Sequence, residues 1–273
     1  MTLRELTQRI VEDKNFLCVG LDPLIERIPP PHAPNPIETI EHFLHRVIDR
    51  TRSHCVAYKI NWAFFERYGS EGIALIERII PYIGPSHFLI ADAKRGDIGH
   101  SSEQYARAFF EHFGVDAVTV SPYMGLDSIR PFTEYEGKCA IVLALTSNPG
   151  SADFQLRPCA DDMQLYEIVV RQLSKAFSPE QLMFVAGATQ GGMLRRLRAI
   201  APDHFLLVPG VGTQGGQLEE VWKYARRRDG SGLLVNVSRG ILYARGNGSW
   251  EEAVEQAARS YRAQMQTLFQ LAL

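Results

Sequence analysis

Asp92, Lys94 and Asp97 crowd three charges into the place where an apolar run, Phe88 to Ala91, gives out. An extended strand alternates its faces, so Asp92 and Lys94 share one side, and Asp97 follows in the turn within reach of the ammonium. Carboxylates on either side keep a lysine protonated even in a poorly hydrated site, because nearby opposite charge favours the charged form. A lysine held in this way can deliver a proton to a reacting atom. The same spacing also suits a salt-bridged surface loop that does no chemistry, so the rest of the chain has to decide between the two.

A second group of residues comes late in the chain. Gly210, Gly212, Gly215 and Gly216 follow the run Phe205 to Val208. They permit positive φ and close backbone approach, so that their N–H groups can converge on an anion. After the run Leu233 to Val237, Arg239 and Gly240 add a planar cationic fork suited to phosphate oxygens. Glycines alone would make only a tight turn. With Arg239 in the neighbouring connection they read as a phosphate site, and the ligand as a phosphorylated metabolite. Neither a Walker A loop nor a dinucleotide fingerprint is present.

These residues need a frame, and the apolar runs supply one. Phe16 to Gly20, Cys55 to Ile60, Phe88 to Ala91, Ala117 to Val120, Cys139 to Leu145, Met183 to Ala186, Phe205 to Val208 and Leu233 to Val237 are near-continuous rather than alternating. Parallel strands covered on their outer face read this way. Helical patterns lie between them. Capping-box spacings, Thr2 with Glu5 and Ser249 with Glu252, announce the first and last helices. The last carries Val254, Ala257, Ala258, Tyr261 and Met265 on one face. Eight strand-helix units predict an α/β fold, a single (β/α)8 TIM barrel with an additional N-terminal helix; a doubly wound open sheet would give a similar string. In a barrel the active site lies at the C-terminal strand ends. Polar residues gather there: Asp22, Lys59 and Asn61, Asp92 to Asp97, Ser121, Thr146 to Asn148, and Ser238 to Gly240. Bare structure needs neither Lys59 nor Arg239 at such places.

The 273 residues, 45% of them hydrophobic, suffice for one large core, and no linker or low-complexity tract divides them, so one domain over residues 1–273 is expected. A formal charge of -2 argues against nucleic acid or an anionic membrane as the main partner. The N-terminus has no apolar signal core, and no segment approaches the roughly 20 apolar residues of a membrane span, so a cytoplasmic protein is expected. Cys18, Cys55, Cys139 and Cys159 have no C-x-x-C spacing. His42 and His45 stand three apart on a predicted helix, but no third ligand accompanies them, and no metal or cofactor is expected.

Taken together, Asp92-x-Lys94-x-x-Asp97-Ile98, the Val19 to Pro23 segment, Lys59, Ser147 with Pro149 and Gly150, Pro209 to Gly216 and Arg239 resemble the orotidine 5′-phosphate decarboxylase family. The resemblance runs essentially end to end, and Phe64 to Glu66 and Gly187 to Thr189 are similar to its longer bacterial branch. It implies that orotidine 5′-phosphate is the substrate and UMP the product. It also implies that Lys94 protonates C6 of the pyrimidine after CO2 departs, with Asp92 beside the leaving carboxylate. Lys59 and Asp22 would hold the ribose hydroxyls and Lys94, while Asp97 and Ser101 would reach across a homodimer into the partner's site. Ser147 would bind the amide edge of the pyrimidine, Gln214 with Gly215 and Arg239 with Gly240 would grip the phosphate, and Ile98 would line the apolar pocket that receives CO2. The turn after Lys94, Arg95-Gly96, and the long polar loop after Ser147 depart from shorter members.

The chemistry agrees with the residues. Loss of CO2 from a ring sp2 carbon leaves an in-plane lone pair, and the chain offers no signature of an organic or metal electron sink. A fixed ammonium in a closed site supplies the stabilisation that remains. Residues 148–160 are rich in Pro, Gly and polar groups and are expected to form a mobile lid. Two rivals stand beside this reading. The magnesium-dependent keto-sugar-phosphate decarboxylases and synthases of the same barrel family share D-x-K-x-x-D but carry a metal-binding acid near strand two, where this chain has Lys59 and Asn61. A non-catalytic nucleotide-binding barrel would keep Gln214 and Arg239 without needing the charged residues.

Overall fold

Each of the eight apolar runs forms a strand, and the computed structural model, which describes residues 1–187, 191–212 and 217–271, closes them into a barrel. The strands are β1 (Leu17–Leu21), β2 (Ala57–Asn61), β3 (Phe88–Arg95), β4 (Ala117–Val120), β5 (Cys139–Leu145), β6 (Leu182–Ala186), β7 (Phe205–Pro209) and β8 (Leu233–Val237). All neighbours are parallel, and β1 pairs with β8 as well as β2, which rules out the open sheet. Side chains fill the interior and helices cover the outside, so the strands are buried on both faces.

The helices Pro36–Thr51, Gly69–Ile83, Gly99–Arg107, Leu165–Ala176, Gly191–Ile200, Leu218–Ala225 and Trp250–Leu271 make up the coat. Between β4 and β5 the connection carries only the short helix Leu126–Ile129 and the 3-10 turn Arg130–Phe132. Both expected capping boxes form: Glu5 N–H donates to Thr2 Oγ1 at 3.2 Å, and Glu252 N–H to Ser249 Oγ at 3.2 Å. The additional N-terminal helix, Leu3–Asp13, buries Leu3, Leu6 and Ile10. Its Arg9 donates to the carbonyls of Ser86 and Cys55, which places the helix across the N-terminal ends of β2 and β3.

Residues 148–160, the segment expected to form a lid, carry some regular structure. They contain the helical turn Ser151–Phe154, and Pro158 makes an antiparallel bridge with Gln164. Gln155 Oε1 accepts from the backbone N–H of Thr146 at 2.7 Å, which ties the segment to the end of β5.

Far from these loops, Arg198 clamps the opposite end of the barrel. Its buried guanidinium donates to the carbonyls of Ala225, Ala201, His204 and Gly232 at 2.5 to 2.9 Å and to Pro202 at 3.1 Å. Burial pulls its pKa down to about 10, and the guanidinium remains charged at neutral pH. Arg198→Met strands several partly buried carbonyls at once, so denaturant unfolding at pH 7 is expected to show a loss of about 3 kcal/mol. Arg198→Lys, which cannot fork, should recover only a minor part of that loss.

Candidate active site

The strand register brings the charged residues together. Lys59 lies opposite Gly20 of β1 and Ile90 of β3, and Asn61 lies opposite Asp92. Lys59 is only 4% exposed, yet it is charged. Its Nζ stands 2.7 Å from Asp92 Oδ2 and 3.6 Å from Asp22 Oδ1. Burial disfavours the ammonium, but the carboxylates of Asp22 and Asp92 outweigh it and hold the pKa above the usual lysine range. Asp92 shows the complementary balance. Burial would raise its pKa, and Lys59 and Lys94 instead bring it down to about 2.

Asp22 follows β1 and is fixed from the neighbouring strand β8, on the side away from Lys59. Ser238 Oγ, one residue beyond β8, donates to Asp22 Oδ2 at 2.6 Å. This approach requires glycine at position 20, because a Cβ there would stand 1.9 Å from Ser238 Oγ. The Tyr243 hydroxyl accepts from Leu24 N–H at 2.6 Å and donates to the Asp22 carbonyl at 3.3 Å, holding the loop after β1. Asp22 Oδ1 is buried and accepts no hydrogen bond among the described residues. It is an acceptor suited to a hydroxyl of a bound molecule.

Lys94 lies within β3, which runs four residues beyond the apolar run. Its Nζ is 2.6 Å from Asp92 Oδ1, and its half-exposed side chain faces the mouth of the barrel. The backbone of Lys94 is left-handed, with φ +50°. Pairing with β4 shifts there: Ala91 lies opposite Val118, and Arg95 opposite Val120. Thr119 Oγ1 accepts from Lys94 N–H at 2.9 Å and lies 3.1 Å from Asp92 Oδ1.

Asp97 does not flank Lys94 within the chain, contrary to the expectation drawn from the spacing. Among the described residues Lys94 pairs with Asp92 alone, and Asp97 Oδ1 instead accepts from the N–H of Ile98 at 2.8 Å. The bulge turns the chain after Lys94, so the simple alternation of a strand does not extend to Asp97. Ile98 is 63% exposed, and Ser101 is exposed on the helix that follows.

At the far side of the mouth, Gly210 and Gly212 adopt the expected positive φ, +95° and +81°. Gln214 and Gly215 lie outside the described residues. Arg239 and Gly240 open the short helix Arg239–Leu242, and Arg239 is exposed and forms no ion pair among the described residues. Ser147 is half-buried just past β5. Sequence reasoning missed Thr119 and Tyr243, and gave Ser238 no role. Thr119 sits inside an apolar run, where a β-branched residue reads as strand filler. Ser238 was one of the strand-end polar residues but carries no charge to single it out.

The fold and the site together define a (β/α)8 barrel that keeps two paired lysines at its C-terminal mouth. This chain belongs to the Orotidine 5′-phosphate decarboxylase / HUMPS family, which it matches over residues 15–256. It is 53% identical over 247 residues to an orotidine 5′-phosphate decarboxylase of Porphyromonas gingivalis, covering 89% of each chain. The structure of an OMP decarboxylase from Leishmania donovani superposes with a TM-score of 0.86 at 34% identity, covering 98% of this chain and 99% of that one. A UMP synthase from the same organism gives 0.88 at 36% identity, covering 98% of this chain and 56% of that one.

Asp92 has its folded pKa near 2 against an ordinary value of 3.8. Its stabilising effect is therefore complete above the ordinary value and is lost as pH falls through the folded one. Asp92→Asn should cost about 2 kcal/mol of unfolding free energy at pH 7. The gap between variant and parent should narrow between about pH 4 and pH 2 when unfolding is measured across that range.

Proposed function

We propose that this single barrel domain decarboxylates orotidine 5′-phosphate to UMP, a step of pyrimidine biosynthesis, without a metal or organic cofactor. The observation that carries the reading is the continuous chain of alternating charge from Asp22 through Lys59 and Asp92 to Lys94, ending in an ammonium at the mouth of the barrel. The bond from C6 to the carboxylate breaks, its electron pair stays on C6, and CO2 leaves. Lys94 Nζ stabilises that lone pair and then gives it a proton. Lys59 does not suit the magnesium branch of the family, because its ammonium already fills the space between the two carboxylates. Asp22 and Lys59 receive the ribose hydroxyls, and Ser147 the pyrimidine amide edge. Arg239 and Gly240, with Gln214 and Gly215, take the phosphate, whose binding energy serves orientation at a distance from the reacting carbon.

The proposal includes a homodimer in the cytoplasm. No described helix is long and apolar enough to cross a membrane. Ile98 is 63% exposed, Tyr123 90% and Met124 40%, an apolar surface on the adjoining connections after β3 and β4. Asp97 and Ser101 lie beside it, which suits delivery into the site of a second copy, where Ile98 would line the pocket for CO2.

Purified protein in excess EDTA should bleach the absorbance of orotidine 5′-phosphate and yield UMP. Activity that appears only when magnesium is added would assign the chain to the keto-sugar-phosphate branch. UMP binding without turnover in either condition would mark a binding barrel. Lys94→Ala should lower kcat by at least about 10^3-fold while UMP still binds. The dimer has its own test: Lys94→Ala and Asp97→Ala variants, each inactive alone, should regain about a quarter of parental activity when their subunits are mixed.

A further inference from the structure

We infer that Thr119 is a positioning residue for the Lys94 ammonium, acting through one hydroxyl that binds the main chain of Lys94 and the carboxylate of Asp92 together. The inference rests on the decarboxylase reading for its consequence in rate, but its geometry is independent of any substrate. Between the Ala91/Val118 and Arg95/Val120 pairs, three residues of β3 stand opposite Thr119 alone. The ladder resumes at the Arg95/Val120 pair, beside which the Ser121 N–H donates to the carbonyl of Arg95 at 2.8 Å. A bulge of this kind leaves an N–H without its usual carbonyl, and a buried N–H needs a partner. The Thr119 hydroxyl is that partner for Lys94, at 2.9 Å.

The hydroxyl has one hydrogen to give, and two acceptors lie near it. Asp92 Oδ1 is at 3.1 Å and the Ala91 carbonyl at 3.5 Å, so the carboxylate is the better acceptor. Asp92 Oδ1 also receives the Lys94 ammonium at 2.6 Å. The result is a closed ring: Thr119 to Lys94 main chain, along the Lys94 side chain to Asp92, and back to Thr119. A residue with a Cβ in the left-handed region is strained and keeps that conformation only when its surroundings impose it. Here the ring imposes it, and the direction of the lysine follows. Thr119 is 1% exposed, so it does not reach a ligand itself.

Removing the hydroxyl at constant shape frees the amide and lets the turn relax, which displaces the ammonium. A displacement of about 1 Å at a reacting group can cost about 100-fold in rate. Thr119→Val should therefore lower kcat by roughly 30- to 100-fold while the Kd for UMP stays within about threefold. Thr119→Ser, which keeps the hydroxyl, should restore most of the rate. Amide hydrogen exchange supplies a readout that needs no turnover: the Lys94 amide should exchange at least about tenfold faster in Thr119→Val than in the parent or Thr119→Ser. Circular dichroism and thermal unfolding establish that the variants compared are folded. A kcat within threefold of the parent in Thr119→Val, an unchanged Lys94 exchange rate, or a serine variant as slow as the valine variant would each overturn the inference. So would a loss of UMP binding in proportion to kcat. If the parent protein itself fails to decarboxylate orotidine 5′-phosphate, the functional reading falls, and the exchange comparison still decides whether Thr119 holds the Lys94 backbone.

Discussion

A buried ammonium between two carboxylates sets the architecture of this barrel's mouth. Taking Lys59 out of water costs several kcal/mol unless opposite charge is close at hand. The chain supplies it from the strands on either side, Asp22 after β1 and Asp92 in β3. Each carboxylate is in turn held by a hydroxyl from one strand further out, Ser238 after β8 and Thr119 in β4. Five consecutive strands, from β8 through β1 to β4, are thus joined at their C-terminal ends by one polar chain. Lys59 and Thr119, 4% and 1% exposed, would be buried polar groups at high cost if left unpaired, which ties them to their neighbours in the chain.

The end of the barrel opposite this polar chain is held by a second set of buried polar groups. At the N-terminal end of the strands, Arg198 gathers carbonyls from several elements, and His87 bridges Ser86 and the Arg52 carbonyl, which it meets at 2.8 Å. Burial keeps His87 neutral, with its pKa drawn down to about 4. None of these groups meets the mouth of the barrel. The rigid lower half lets the upper half hold a strained backbone at Lys94 and charges in strand ends, features that would be costly in a small or loosely packed domain.

Much of this was legible in the sequence, for identifiable reasons. The eight strands were visible because parallel strands under a helical coat are apolar on both faces, and their predicted bounds lie within two residues of the observed ones, except at β3. Asp22, Lys59, Asp92 and Lys94 were visible because charge interrupting a buried run has no structural excuse. What escaped depends on contacts between distant segments. The extension of β3 to Arg95 needs β4 beside it, and the left-handed turn at Lys94 needs the Thr119 hydroxyl. The direction of Asp97 follows from that turn. Residues 148–160 look irregular in composition, yet Gln155 finds Thr146 and gives them a fixed anchor. The short connection from β4 to β5 has no marker in the pattern of apolar runs that predicted the strands.

Two lysines alternating with two aspartates sum to zero. A row of alternating charges has no net monopole, so its field is intense within a few ångströms and fades faster with distance than that of a single ion. At the range of a Debye length, about 8 Å in physiological salt, the row pulls on an approaching anion less than a single ion would. It draws a phosphate ester in only weakly, through the Lys94 ammonium at its outer end. On the proposed reading, long-range attraction at the mouth falls mainly to exposed cations such as Arg239, while the alternating row acts mostly on what has already docked. On that reading, capture and chemistry differ in the multipole order of their fields, so ionic strength should govern arrival more than the events that follow it.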